Sequence, residues 1–168
     1  MTATILKDAF AHHGWATIQL IDACADLEDH QLRTGTPGVY GSIIETLRHL
    51  VGSDCSYLRV TSGEHPDFDD EAAELAGLRG EMEKHQAAWS ELIARNLDGD
   101  EWLVRRRPDG SETHATIGVR LAQALHHGTD HRSQVCTVLT NLGIEPPAID
   151  VWDYGIALDR TRRTAPTG

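Results

Sequence analysis

The sequence has no CxxC pair, and its three cysteines, Cys24, Cys55 and Cys136, are scattered among apolar helical neighbours. That excludes a disulfide framework and a paired redox motif, and points to core thiols in a reducing compartment. No apolar run is long enough to cross a bilayer. The opening stretch MTATILKDAFAHHG lacks the basic-then-apolar order of a secretory signal, so a cytoplasmic location is expected. Basic residues are few: Lys and Arg number 15 against 26 Asp and Glu, for a formal net charge of −11. This balance argues against nucleic acid and against an anionic membrane as partner. The one basic run, Arg105-Arg106-Arg107, is too short to reverse it. There is no internal repeat and no interdomain linker. The 168 residues, 40% of them hydrophobic, fit one domain over 1–160 with a frayed tail at 161–168.

What the chain does have is helical punctuation. Four amphipathic segments are expected, the first from about Thr4 to Leu27. After the helix-breaking loop RTGTPGVYG, Ser42 and Glu45 make a capping box that opens the second, which stops near SGEHP. Leu75, Leu78, Met82, His85, Trp89 and Leu92 recur at steps of three and four in a third, from about Asp70 to Ala94. EWLVRRRPDGSETHA then predicts a small hairpin about its Pro-Asp-Gly turn. Thr116 caps a fourth helix reaching Asn141, where Gly143 and Pro146-Pro147 stop it. The apolar segment IDVWDYGIAL packs over the rest. The fold class this implies is all-α, a four-helix bundle with a small hairpin in the crossover before the last helix.

There are also ten histidines, and histidine is the commonest protein metal ligand. Three of them fall in HHGTDHRSQV, inside the fourth helix. His127 and His131 share a face with Ala124, Val135, Val138 and Leu142, so a spacing of i, i+4 stacks two imidazoles on a buried seam, within reach of one ion. His126 and Asp130 point elsewhere and pair at the surface. A zinc site needs a third protein ligand, and periodicity leaves His13, His49 and His85 open as candidates. His85 sits in the centre of its seam, where a core role is the commoner one. Asp54 and Glu45 flank His49; each either orients an imidazole or is a solvated helix carboxylate.

SIIETLRHLVGSDCSYL, then HHGTDHRSQV, then LTNLGIEPPAIDVWDY resembles the DinB/YfiT-like superfamily over most of the chain. The resemblance implies an up-down-down-up four-helix bundle and selects His49, His127 and His131 as ligands of one divalent ion. Zinc leads, with nickel, iron, cobalt and manganese open to a three-histidine site. Arg132 and Gln134 match the family's HRxQ; Arg132 is the candidate catalytic residue, holding a carboxylate substrate, or else it braces a neighbouring helix. Relatives that use mycothiol or bacillithiol imply thiol S-transfer between a small-molecule thiol and an electrophile. Metal-dependent hydrolysis and a non-catalytic metal-binding or stress-related protein are the alternatives. HExxH is absent, so no motif places a general base for hydrolysis. A homodimer is expected, and the site is expected at one end of the bundle.

Overall fold

The computed structural model describes residues 2–162 and Thr164. In chain order the elements are α1 (Thr2–Ala23), α2 (Asp29–Leu32), α3 (Ile43–Ser62), α4 (Leu75–Ala94), β1 (Trp102–Arg106), β2 (Glu112–Thr116), α5 (Ile117–Asn141) and α6 (Val151–Ala157). The protein is mostly helical, not all-α, because β1 and β2 pair antiparallel with Trp102 opposite Thr116. The hairpin lies where the Pro-Asp-Gly turn predicts it. Of the tail at 161–168, Arg163 and residues 165–168 lie outside the described residues.

Helix boundaries follow local chemistry. Ser42 Oγ accepts from the Glu45 amide, and Glu45 Oε2 accepts from the Ser42 amide at 2.8 Å, satisfying two free donors at the start of α3. Gly63, with φ +79°, ends α3 in the left-handed conformation that costs a glycine least. Thr116 caps α5 as expected. Two helices are shorter than periodicity suggests. After Ala23 the chain tightens into i→i+3 bonds, such as Leu27 N–H to Cys24 O at 3.2 Å. Helix α4 starts at Leu75 and not at Asp70, because the preceding segment is held by tertiary contacts. Arg48 Nε donates to the Ala73 carbonyl at 2.8 Å, and the Asp70 carboxylate occupies the space above Gly52. The short α2, opened by a Glu28–Gln31 capping box, is about one turn long and so carries no helical period in the sequence.

Helix α1 packs against α4 and α5, and α3 packs against α5 and α4. The core has two apolar halves. One gathers Leu20, Ile21, Ile43, Leu47, Leu50, Met82, Val135 and Leu139; the other gathers Phe10, Leu58, Trp89, Leu92, Ile117 and Leu121. Between them, each long helix contributes a buried polar residue: His13 from α1, Asp54 from α3, His85 from α4 and Arg132 from α5. A polar layer at mid-height costs desolvation, so its members must satisfy one another. Helix α6 lies on α1, and the preceding turn supplies the Ile149 carbonyl, 2.9 Å from His12 Nε2.

Candidate metal centre

His49 on α3 faces His127 and His131 on α5. Their ligand atoms lie within 4.8 Å of one another, and the Nε2 atoms of His49 and His127 are 3.1 Å apart. Two imidazole lone pairs this close repel unless they share a proton or a cation. Zinc–nitrogen bonds of about 2.0–2.1 Å in a tetrahedron set nitrogens roughly 3.3 Å apart, so the spacing suits an ion. The donor set therefore fits a divalent metal. Burial, and then His131 and His49, push the His127 imidazole down to about 4. Burial and then His131 push His49 down as well. At neutral pH these rings are unprotonated, as ligation requires.

The surroundings fix ring orientation. His131 Nδ1–H donates to Gln134 Oε1 at 3.1 Å, which leaves Nε2 with its lone pair toward the cluster. The same oxygen accepts the Tyr40 amide at 3.0 Å, tying the loop before α3 to α5. The Tyr40 ring stacks on His49, centroids 4.1 Å apart and planes 16° from parallel. Neither residue has a role that helical periodicity reveals, because Tyr40 sits in an irregular loop and Gln134 on the half-buried margin of α5. A cavity of about 580 Å³ opens beside His49, lined by Tyr40, Glu45, Arg48, Asp70 and Glu71. A more apolar one of about 500 Å³ lies among Ala9, His12, Leu125, Cys136 and Ile149; none of the three histidines lines it.

The remaining candidates go elsewhere. Glu45 is spent on the cap of α3. Asp54 does orient an imidazole, but that of His13, whose Nε2–H donates to Oδ1 at 3.1 Å; Trp89 Nε1–H donates to Oδ2 at 3.0 Å. Burial pushes the Asp54 carboxyl up, yet the neighbouring His13 and His85 outweigh it and hold it below the usual carboxylate range. Arg132 is 4% exposed and donates to His13 Nδ1 and Thr17 Oγ1, each at 3.1 Å, and to Thr129 Oγ1 at 3.2 Å. Burial pushes its guanidinium down to about 10, against the pull of Asp54. These bonds all lead toward α1 or along α5, and none reaches the three histidines. His126 is exposed, and no ion pair joins it to Asp130 among the described residues. The cluster lies level with the polar layer, not at one end of the fold, because His127 and His131 occupy the middle of α5 between its two apolar stretches.

Gly128 explains the glycine inside this helix. A Cβ there would run into His13 Cε1 and stand 2.6 Å from His13 Nδ1. The backbone of α5 thus approaches α1 closely enough for Arg132 to reach the ring.

The model of the DinB family matches residues 1–162. The chain belongs to the DinB family. A search of curated proteins returned no match. Family membership and the histidine cluster together fit a metal-dependent DinB protein holding a divalent ion. Among the described residues, no helix of this DinB chain is long and apolar enough to cross a membrane.

Proposed function

We propose that this DinB protein is a thiol S-transferase in which His49, His127 and His131 hold a divalent cation, zinc before nickel, iron, cobalt or manganese. A low-molecular-weight thiol and an electrophilic small molecule meet in the adjoining cavity. The observation that carries this reading is the 580 Å³ cavity with His49 in its wall. When bound, an ion on three neutral imidazoles supplies charge enough to ionise a thiol near neutral pH.

The chain's own residues do the rest. Gln134 keeps the His131 proton on Nδ1. The Tyr40 ring covers one face of His49 and excludes water from it. Arg48, anchored through Nε to the Ala73 carbonyl and paired with Glu74 at 3.6 Å, places a guanidinium in the cavity wall, where it suits a carboxylate on the substrate. No cysteine lines that cavity. Burial pushes Cys24 up to about 12 and Cys55 up to about 11, so the nucleophilic sulfur is supplied by a cosubstrate. Arg132 lies behind the site and braces α5 against α1 through His13 and Thr17.

The same reading includes the family's up-down-down-up bundle, supported by the ring of contacts among α1, α4, α3 and α5. It includes a reducing cytoplasm, supported by three free thiols. It also includes a homodimer, for which Val151, Trp152, Ile156 and Leu158 supply an exposed apolar surface on and beside α6.

The test is a panel of mycothiol, bacillithiol and glutathione against a reporter electrophile, with metal-loaded and metal-free protein. Conjugation that needs the ion is expected. Equal rates without metal overturn the mechanism; turnover of an ester or amide panel in place of any thiol replaces it with hydrolysis.

A further inference from the structure

A second group of metal-competent donors meets where α3, α4 and the loop between them converge. Cys55 comes from α3, His65 from the loop and His85 from α4, and one ligand atom of each lies within 4.8 Å of the other two. The two imidazoles meet edge to face, centroids 5.0 Å apart. Cys55 and His85 are 2% and 0% exposed.

The polar atoms here are poorly satisfied. Among the described residues, neither ring nitrogen of His85 has an aligned hydrogen-bond partner, and neither does Nε2 of His65. Asp54 Oδ2 lies 3.1 Å from His85 Nδ1, and Glu81 Oε1 lies 3.4 Å from Nε2. His85 thus lies between two carboxylates that place negative charge beside both of its ring nitrogens. A fully buried imidazole left in this state carries a desolvation penalty that no aligned hydrogen bond offsets.

A cation resolves these features together. It takes up the imidazole lone pairs, replaces the Cys55 proton that now points to the Pro66 carbonyl at 3.3 Å, and meets the carboxylates of Asp54 and Glu81 as counter-charge. One thiolate with two imidazoles is the donor set of a borderline-soft ion such as zinc; magnesium and calcium prefer oxygen. None of the three residues lines the cavity at His49 or the apolar one beside α1. The ligands span the whole α3–α4 loop, which carries Asp70 and Glu71 into the wall of the first site.

We propose that Cys55, His65 and His85 bind a second divalent cation of zinc type, in a structural site that pins the α3–α4 loop. Binding exchanges the Cys55 S–H bond for a sulfur–metal bond and releases that proton to water.

Cobalt(II) distinguishes this site from the three-histidine one, because only this one contains sulfur. Metal-free protein loaded with cobalt is expected to show a near-ultraviolet thiolate-to-cobalt charge-transfer band. The band should be present in wild type and His127→Ala and absent from Cys55→Ser, each variant binding about one ion fewer than wild type. Should Cys55→Ser fail to fold, His65→Asn decides. Its ring is only half-buried, and its loss should weaken cobalt binding at the thiolate by at least about tenfold with the helical circular dichroism retained. A band that survives Cys55→Ser, a band unaffected by His65→Asn, or a wild type that binds cobalt without any such band overturns the proposal.

Discussion

His13 and Asp54 are 41 residues apart in the sequence and joined in the core by an Nε2–H···Oδ1 bond of 3.1 Å. The other ring nitrogen of His13 accepts from Arg132 at 3.1 Å. An imidazole that donates at Nε2 and accepts at Nδ1 is the uncharged tautomer, so His13 bridges a buried guanidinium on α5 and a buried carboxylate on α3. Removing one end leaves the other charge without compensation. Asp54→Ala should therefore destabilise the fold by roughly 3–5 kcal/mol, read from urea unfolding. A cost below about 1 kcal/mol would mean that the layer contributes little.

The three histidines make a separable prediction. His127→Ala or His131→Ala should lower the bound metal by about one ion per chain and abolish the conjugating activity. His126→Ala, on an exposed face of the same helix, should keep both. Elemental analysis of protein purified without added metal reads the first part. Full metal content in His127→Ala removes that residue from the ligand set.

Acid should act on the metal-free protein in two stages. His127 is held at about 4 against an ordinary 6.5. Between those values the unfolded chain binds the proton and the folded chain does not, so stability is complete above the upper value and declines as pH falls toward the lower. Asp54 acts in the same sense at lower pH: its folded carboxyl stays ionised below the ordinary range, and its contribution is lost as pH drops below about 3.9 toward the folded value. Melting temperatures of metal-free protein should be level above about pH 7 and fall below about 6.5, with a shallower slope in His127→Gln. An identical slope in that variant places the proton uptake elsewhere.

Gly128→Ala should destabilise, although alanine in a helix interior is ordinarily favoured over glycine by about 1 kcal/mol. The added methyl collides with a His13 ring that Asp54 and Arg132 hold from both sides, so the ring cannot move away at low cost. Thermal melts of the two proteins decide it; a higher melting temperature for the alanine variant shows that α1 and α5 can separate freely.

The long helices and the His127–His131 pair were legible because each rests on local periodicity or a cap, as with Ser42 and Thr116. His49 needed the family resemblance, since its place beside Leu50 on the edge of an apolar stripe carries no signal of its own. The partner of Asp54 was hidden for a different reason: hydrogen bonds between helices depend on rotation and depth, which spacing along one helix does not encode. The same holds for Tyr40 and Gln134, which meet across 94 positions. His65 lies in an irregular loop, where no periodicity exists to read.

The mid-height layer also limits the ways in which these four helices can be assembled. Between apolar surfaces alone, one helix can slide a full turn along its neighbour and exchange one set of leucines and isoleucines for another at small cost. Here a shift of α3 by one turn would move Asp54 away from the nitrogens of His13 and Trp89 and press its charge against hydrocarbon. A shift of α5 would do the same to Arg132. The layer thus acts as a registration mark that penalises every misaligned packing. Three imidazoles drawn from two separate helices can meet to within a few ångströms only in a core that settles into one alignment.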